Sequence, residues 1–409
     1  MAEKKISIGL FGFGCVGQGL YDVLKNSDGL QASIEKICVK NPGKERKINL
    51  SFFTFNGNDI LKEKKYNTVV ELIDNSQQAF DIVKEVLQRK ADVVTANKKM
   101  LAENFEALYQ LQEENNAALL YEASAGGSIP IIRTLEEYYD NELLSSIRGI
   151  LNGTCNYILT RMEAESKEYA EVLKDAQLQG FAESDPRLDV AGFDTLYKLI
   201  VLTIHSFGII LKPEQVLNLG IQNISYDDML YAGEKGLRIK MVAVAYKSSD
   251  KLRVYAMPHF IEKKDELYNV MYEYNGIEVE GAFSCRQTFI GKGAGSHPTG
   301  SAVLSDISAL RYNYRYGYKK LKKIKQALKG TYNAENFIDN DFSIKVYIRF
   351  SDKKELINLQ VESIEEEYKS AKTNYIIANV KLKSLFAIKN NRESKLFVCA
   401  IGGIYNGGN

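Results

Sequence analysis

Ile6–Gly17, with the sequence ISIGLFGFGCVG, determines the fold of the first part of the chain. Its mostly apolar start predicts a buried strand, and the helical spacing of apolar side chains from Val16 to Leu24 predicts a helix after the glycines. In a G-x-G-x-x-G turn, the first glycine permits the turn, the second lets a pyrophosphate approach, and the third allows close helix packing. The helix N-terminus adds free N–H groups and partial positive charge. We predict dinucleotide contacts from Gly12, Phe13, Gly14, Cys15, Val16 and Gly17.

Strand and helix patterns alternate over the residues that follow. Apolar runs, mostly separated by amphipathic helices, predict further strands at residues 34–39, 69–73, 93–96 and 118–121. This alternation is typical of a mostly parallel sheet with helices on both faces. We predict an α/β fold with an N-terminal Rossmann-type domain over residues 1–135, completed by a helix near residues 300–315.

The pattern changes in a second domain, predicted over residues 136–300. A long helical region is followed by strands of a mostly antiparallel sheet, so this domain is α+β. Its predicted elements are strands at residues 147–151, 240–246, 252–257, 269–274 and 288–290, with helices between 156 and 232. A third, small α+β domain is predicted over residues 341–409. Its elements are a strand at 343–350, a helix at 353–368, and strands at 374–382 and 396–401.

Composition limits the kinds of partner and compartment. The chain has 409 residues, 45% of them hydrophobic and 26% charged, and a formal net charge of +1. These values predict a soluble globular protein with no general attraction to nucleic acid or membranes. No apolar run is long enough to span a membrane, the N-terminus lacks a signal-peptide pattern, and the five cysteines lack metal-ligand spacing. We therefore expect a cytoplasmic protein.

Residues 311–325 are basic and rich in tyrosine. Such a segment can bind nucleic acid or phosphate through its cations and rings. It can equally form a solvated linker or the outer face of a helix. One short patch on a nearly neutral chain favours the second interpretation, and we predict a linker over residues 316–340.

The end of the second strand bears on the choice between NAD and NADP. An acidic residue there binds the ribose 2′-hydroxyl of NAD, whereas a basic one accommodates the 2′-phosphate of NADP. The chain has Lys40 at this point, with Lys44 and Arg46 close behind and no acid between Cys38 and Lys44. NADP is therefore slightly favoured, although a solvated lysine would leave NAD possible. Ser76, just after the third strand, is a further candidate cofactor contact.

Residues 176–198 concentrate acidic side chains and one lysine in a short stretch. Asp194 and Lys198 are four residues apart, which places both on one face of a helix. The helix then continues through the almost wholly apolar residues 199–204. An ion pair at the mouth of a buried helix indicates the floor of an active site, and a structural salt bridge is the alternative.

The spacing of Ala176, Gly180, Asp185-Pro186, Asp189, Gly192, Asp194 and Lys198 resembles the signature of homoserine dehydrogenases. Four further segments are similar to the same family and follow its order, namely residues 12–17, 95–98, 149–159 and 291–299. The resemblance implies interconversion of L-homoserine and L-aspartate 4-semialdehyde by hydride transfer with NAD or NADP. It places this reaction in the biosynthesis of threonine, methionine and isoleucine.

The resemblance also implies roles for individual side chains. Lys198 is similar to the family's general acid/base, and Lys98 to a second lysine between the nicotinamide and the substrate. Glu183 would bind the substrate's α-amino group, and Asp189 and Asp194 would hold its hydroxyl end and orient Lys198. Reduction of an aldehyde by hydride needs positive charge and a proton at the carbonyl oxygen, which two lysines can supply. Which lysine gives the proton stays open.

The family's remaining features concern the cofactor, a cation and assembly. Gly295 would approach the cofactor. Glu122, with the backbone of Ala125, Gly127 and Ile129, is similar to the family's site for a monovalent cation, Na⁺ or K⁺. Because relatives pair through the antiparallel sheet, the second domain is expected to bind substrate and to form a homodimer or a larger homo-oligomer.

One part of the chain departs from the family, and two other functions remain open. The last domain is expected to be a degenerate ACT-like domain, because residues 351–354 stand where amino-acid-binding ACT domains have a Pro-Gly turn. Feedback by threonine is therefore not predicted. The alternatives are a related oxidoreductase acting on another amino-acid aldehyde, and a catalytically silent sensor of dinucleotide and amino acid. The intact cluster at 176–198 argues against the first, and the presence of both lysines argues against the second.

Overall fold

The fold is described from a computed structural model, which defines residues 4–27, 29–328, 332–391 and 393–402. The chain forms two compact units. The first consists of Met1–Asn141 with Gly291–Ile324, and the second of Glu142–Ile290 with Lys325–Asn409. The predicted linker and C-terminal domain therefore lie partly outside the described residues, at 329–331, 392 and 403–409. Within the described residues, no helix is long and apolar enough to cross a membrane.

The strands of the described residues belong to two sheets. In chain order they are β1 (Ile6–Phe11), β2 (Ala32–Cys38), β3 (Phe53–Thr54), β4 (Thr68–Glu71), β5 (Asp92–Thr95), β6 (Leu119–Leu120), β7 (Leu144–Ile150), β8 (Leu217–Asn218), β9 (Leu237–Ser248), β10 (Lys251–Glu262), β11 (Tyr274–Gly281), β12 (Cys285–Lys292), β13 (Ser343–Phe350), β14 (Val361–Lys369), β15 (Asn374–Lys381) and β16 (Phe397–Ala400).

Helices connect most of these strands. In chain order they are α1 (Cys15–Lys25), α2 (Asn58–Leu61), α3 (Ser76–Gln88), α4 (Lys98–Asn115), α5 (Ile131–Arg133), α6 (Gly153–Glu165), α7 (Tyr169–Leu178), α8 (Arg187–Val190), α9 (Phe193–Phe207), α10 (Tyr226–Glu234), α11 (Ser296–Leu310), α12 (Lys319–Leu328) and α13 (Leu382–Asn390).

The sheet of the first unit has the order β3-β2-β1-β4-β5-β6, and neighbouring strands are parallel. Apolar side chains of β1 are completely buried, as expected for a strand with helices on both faces. The predicted α/β, Rossmann-type fold is confirmed. Because parallel strands end at the same edge, the loops after β1, β4 and β5 are neighbours there.

The sheet of the second unit has the order β12-β11-β7-β9-β10-β16-β13-β15-β14. Most of its strand pairs are antiparallel, whereas β10 is parallel to β16 and to the short strand β8. Helix α9 is buried along nearly its whole length and packs on β7, β9 and β10. This mixed sheet with helices confirms the predicted α+β character, while an independent ACT-like domain from residue 341 onward stays a prediction.

Two predicted elements of the second unit are wrong. Residues 353–368 do not form a helix, because a short 3₁₀ turn at Lys353–Leu356 is followed by strand β14. Residues 269–274 do not form a strand, because the turn Glu266–Asn269 precedes β11, which begins at Tyr274. At the first place β14 forms a hairpin with the next strand, β15, and at the second the chain turns before β11 begins.

Two tyrosines of the basic, tyrosine-rich segment are buried, although several of its other residues are exposed. Tyr316 and Tyr318 are buried in the first unit, where the hydroxyls of Tyr318 and Tyr121 lie 3.0 Å apart. The backbone N–H of Tyr121 donates to the Tyr316 hydroxyl at 3.2 Å. Lysines follow in α12, and Lys319 Nζ contacts Asp140 at 2.7 Å. The rings of Tyr316 and Tyr318 thus form part of a core, whereas the lysines that follow lie on a helix, and a linker over residues 316–340 stays a prediction.

Candidate active site

The glycine turn after β1 separates into tightly packed and open positions. Gly12 has a φ of +93°, and a Cβ there would lie 2.4 Å from the backbone oxygen of Leu72. A Cβ on Gly17 would lie 2.5 Å from the oxygen of Gly12. Around Gly14, in contrast, a Cβ would meet no atom within 4 Å, and the residue is exposed. The backbone at Gly14 is therefore open to a ligand approaching the N-terminus of α1.

A second glycine-rich turn lies against this helix. Gly295 is the N-cap residue of α11, and the next residue, Ser296, donates from its Oγ to the backbone oxygen of Cys15 at 2.8 Å. Helices α1 and α11 pack closely along their length. The structure thus brings Gly295 beside the turn at Gly12–Gly17, as a shared cofactor contact would require.

Buried polar contacts join the ends of β4 and β5. Glu71 accepts hydrogen bonds from the N–H of Ile73 at 2.7 Å and from Thr95 Oγ1 at 2.6 Å. Burial raises the pKa of Glu71 to about 7, although both hydrogen bonds act in the opposite direction. Asn97 Nδ2 donates to the backbone oxygen of Ile73 at 3.1 Å. These bonds fix the start of α4, whose first, partly buried residue is Lys98.

Ser76 and the basic residues after β2 occupy the same sheet edge of the first unit. Ser76 begins α3, and its Oγ donates to Glu103 at 3.2 Å. Lys40 is exposed. The guanidinium of Arg46 donates to the backbone oxygen of Lys44 at 2.7 Å and lies 4.8 Å from the ring centre of Phe53. Arg46 is thus folded back on the turn that follows β2, where it adds to the positive charge of Lys40.

The loop that contains Glu122 is held by backbone donors. The two carboxylate oxygens of Glu122 accept from the N–H groups of Ile132 and Arg133 at 2.7 and 2.8 Å. Arg133 Nε lies 3.7 Å from the same carboxylate. Asp306 accepts from the Glu122 N–H at 2.8 Å. Burial, followed by the charge of Glu122, raises the pKa of Asp306 well above its ordinary value.

In the second unit, Lys198 and Asp194 form a buried ion pair. The Nζ of Lys198 lies 2.8 Å from Asp194 Oδ2, and the side chains are 8% and 7% exposed. The same Nζ donates to the backbone oxygen of Leu151 at 2.7 Å. The helical spacing of four residues thus brings both groups together near the start of α9, as the sequence predicted.

Asn152 joins this pair to Asp189. Its Nδ2 donates to Asp189 Oδ1 at 2.7 Å and to Asp194 Oδ2 at 2.9 Å. Its Oδ1 accepts from the N–H of Cys155, which caps the N-terminus of α6. An asparagine before a helix is a recognisable cap in a sequence, but its bridging role is not, because it depends on where α8 and α9 fold. Asn152 therefore lies in a segment that resembles the family, residues 149–159, but its role at the site was not predicted from the sequence.

Glu183 lies apart from these contacts, on the exposed segment between α7 and α8. Gln177 Nε2 donates to its backbone oxygen at 3.0 Å. Nearby, the ring of Phe181 stacks on Tyr157 at 4.2 Å. The backbone of this segment is thus anchored while Glu183 itself is exposed, which leaves its carboxylate accessible to a cationic group.

Two family models match the chain. The model described as homoserine dehydrogenase matches residues 130–308, and the model described as the NAD binding domain of homoserine dehydrogenase matches residues 12–122. Together they include the glycine turn, the start of α4, and the Lys198–Asp194 pair.

Curated proteins and solved structures of the same description are similar to most of the chain. The homoserine dehydrogenase of Bacillus subtilis is 34% identical over 77% of this chain and 75% of its own length. That of Synechocystis is 36% identical over 74% of this chain and 72% of its own length. The crystal structure of a homoserine dehydrogenase from Thiobacillus denitrificans matches with a TM-score of 0.78, at 25% identity and 98% coverage of both chains. For S. aureus homoserine dehydrogenase at pH 6.0, the TM-score is 0.72 at 28% identity, covering 98% of this chain and 100% of that one.

Proposed function

The chain belongs to the homoserine dehydrogenase family and is an NAD(P)-dependent oxidoreductase that interconverts L-homoserine and L-aspartate 4-semialdehyde, and we propose that Lys198 carries the proton in this reaction. The supporting observation is the buried contact between Lys198 Nζ and Asp194 Oδ2. An ammonium group has three donors, and Asp194 and the Leu151 carbonyl accept two of them. Among the described residues these are the two acceptors of Lys198 Nζ, so its third donor can serve the substrate oxygen.

The roles of the chain's own residues follow from where charge develops. When bound, the nicotinamide cofactor supplies or accepts the hydride. During reduction of the aldehyde, Lys198 stabilises the negative charge on the carbonyl oxygen and donates a proton to it. During oxidation of homoserine, neutral Lys198 accepts the hydroxyl proton. Asp194 orients the lysine, and Asn152 in turn orients the Asp194 carboxylate.

The remaining candidate residues bind and position the substrate. The exposed carboxylate of Glu183 suits the α-ammonium group of the amino acid. Asp189 and Asp194, which share the Asn152 amide, hold the hydroxyl end. For Lys98, the first residue of α4, we keep the role that the family resemblance implies, a second positive charge between the nicotinamide and the substrate.

The dinucleotide fits the residues of the first unit. The open backbone at Gly14 and the N-terminus of α1 suit a pyrophosphate, since the first N–H groups of a helix lack intrahelical partners. Phe13, Cys15 and Val16 line the same turn, and Gly295 lies beside it. Ser76, at the start of α3, is a further contact on the edge where the parallel strands end.

We expect a preference for NADPH that depends on Lys40 and Arg46. A cation contacting the 2′-phosphate contributes a charge-assisted hydrogen bond, so Lys40→Ala and Arg46→Ala should each raise the KM for NADPH about tenfold. The KM for NADH should change less than about twofold, because that cofactor lacks the phosphate. Lys47→Ala, which removes an exposed lysine just beyond the turn, is the matched control. Equal changes with both cofactors would contradict a role in binding the 2′-phosphate.

A monovalent cation site at Glu122, Ala125, Gly127 and Ile129 is a second proposal. Its support is a buried carboxylate beside a second buried acid, Asp306, where nearby positive charge is favourable. Arg133 supplies part of that charge, because its Nε lies 3.7 Å from the Glu122 carboxylate. Backbone N–H groups already donate to both Glu122 oxygens, so a cation would be held mainly by the backbone carbonyl oxygens of the site. We expect kcat to rise saturably when Na⁺ or K⁺ replaces choline at constant ionic strength. Equal rates in all three chlorides would remove this proposal.

The reaction itself is tested by oxidation of L-homoserine. Absorbance at 340 nm should rise when the protein receives L-homoserine with NADP⁺ or NAD⁺. A matched substrate lacking the α-amino group should be used much less efficiently, through the loss of contact with Glu183. Turnover of another amino-acid alcohol but not of L-homoserine would instead favour a related oxidoreductase.

A further inference from the structure

We propose that Asn275 is a positioning residue for Lys198. Asn275 shares the Leu151 carbonyl with Lys198, and this shared hydrogen bond allows the lysine to alternate between its charged and neutral forms. This inference rests on the proposed role of Lys198 as the proton carrier.

Two donors meet at the backbone oxygen of Leu151. Asn275 Nδ2 lies 2.9 Å from this oxygen, and Lys198 Nζ lies 2.7 Å from it. The sheet produces the meeting, because β11 pairs with β7 so that Gly276 faces Ile150. Asn275 therefore stands beside Leu151, at the point where the chain leaves β7. A carbonyl oxygen has two lone pairs and can accept both donors at once.

The amide of Asn275 is fixed in one orientation. It is completely buried, and among the described residues its Oδ1 accepts no hydrogen bond. Rotating the amide by half a turn would bring Oδ1 against the Leu151 oxygen, where two acceptors would repel each other. The preceding backbone is also held, because Asn156 Nδ2 donates to the oxygens of Tyr274 and Val270 at 3.0 and 3.1 Å. Asn275 is thus a rigid donor aimed at Leu151.

A neutral second donor matters because Lys198 changes charge during turnover. If Lys198 were the only donor, loss of its proton would weaken the one hydrogen bond of a buried carbonyl, which would disfavour the neutral lysine. The Asn275 amide keeps the carbonyl hydrogen-bonded in both states. It also adds no charge to a site where the Asp194 carboxylate, 2.8 Å from Lys198 Nζ, already favours the ammonium form and Asp189 lies on the other side of Asn152. A further carboxylate in place of Asn275 would favour the ammonium form more strongly. The residue type therefore suits a lysine that must gain and lose a proton.

The test compares N275D and N275L with wild type across pH, in both reaction directions. In N275D, the pH at half-maximal kcat for homoserine oxidation should rise by about one unit or more, because a new carboxylate favours the ammonium form. The alkaline limb of aldehyde reduction should move the same way. N275L should show a smaller shift in the same direction, and the KM for L-homoserine should change less than about threefold.

Asn218 provides a matched control in the same unit. It is buried, its Nδ2 donates to the backbone oxygen of Ala191 at 3.0 Å, and its Oδ1 also lacks a partner among the described residues. Within the residues that the structure describes, Asn218 makes no hydrogen bond to Leu151 or Lys198. N218D should therefore lower stability without moving the midpoints of the pH profile.

Other outcomes separate this inference from the proposed function. A uniform loss of kcat at every pH, with unmoved midpoints, would overturn the inference and leave Asn275 only a structural role. If N275L fails to fold, N275S replaces it as the smaller uncharged variant. If K198M retains wild-type kcat, the proposed function fails first. If K198M is inactive but N275D keeps the wild-type midpoints, only the role of Asn275 is lost.

Discussion

Lys198→Met is expected to lower kcat for L-homoserine oxidation by about a hundredfold or more, the scale of a lost general acid/base. Methionine has a similar length and is apolar, so it fills the space of the buried lysine stem but donates no proton. The KM for the dinucleotide should change little, because the cofactor residues lie in the other unit. Steady-state kinetics at several pH values measure the effect, and the variant should lose the pH dependence that the lysine contributes.

Lys240→Met is the control for this variant. Lys240 is also a buried lysine of the second unit, and its Nζ donates to Asn156 Oδ1 at 3.0 Å and to the Val270 oxygen at 2.6 Å. Burial lowers the pKa of Lys240 to about 7. Removing it should alter stability while kcat stays within a few-fold of wild type. If Lys198→Met and Lys240→Met lost kcat equally, the loss would reflect damage to the fold from removing a buried lysine, and Lys198 would have no special chemical role.

Asp194→Leu is expected to destabilise the protein by about 3–5 kcal/mol, because it leaves the Lys198 ammonium buried without its counter-ion. The double variant Asp194→Leu/Lys198→Met should be less destabilised than this single variant. In the double variant, Leu151 keeps its donor from Asn275, and Asn152 keeps its acceptor on Asp189, so neither of these two partners is orphaned. Both variants should be inactive, which separates catalysis from stability.

Urea denaturation and hydrogen exchange of the α9 amides measure the free energy of unfolding of these variants and so test this prediction. Hydrogen exchange is needed because the two units need not unfold in one step. Glu171→Leu is the control, since Glu171 is exposed and lies 3.3 Å from Lys167, which keeps other acidic partners. Its removal should cost no more than about 1 kcal/mol. A double variant as unstable as the single Asp194→Leu variant would contradict the account of the buried pair.

Features that depend on neighbouring residues were predictable from the sequence. The parallel sheet follows from short apolar runs, and the glycine turn from its place between β1 and α1. Asp194 and Lys198 are separated by one helical turn, so their contact also follows from local geometry. The fold of the first unit and the core of the candidate site could therefore be stated before the structure was known.

Contacts between residues distant in the chain, and a strand without an alternating pattern, were not predictable. Asn275 and Leu151 are 124 residues apart and meet only because β11 pairs with β7. Strand β14 carries charged side chains on an exposed edge, and nothing in its sequence alternates as a half-buried strand does. Tyr316 and Tyr318 stand among charged residues, yet they are buried because their hydroxyls find partners on Tyr121.

The most direct test of the central claim is NADPH and NADH oxidation at 340 nm with L-aspartate 4-semialdehyde, with the product identified by mass spectrometry. We predict turnover to L-homoserine by the wild-type protein and a loss of about a hundredfold or more in Lys198→Met. The absence of turnover with either cofactor, between pH 6 and 9 and with Na⁺ or K⁺ present, would contradict the assignment. Undiminished turnover by Lys198→Met would instead contradict the role given to that lysine.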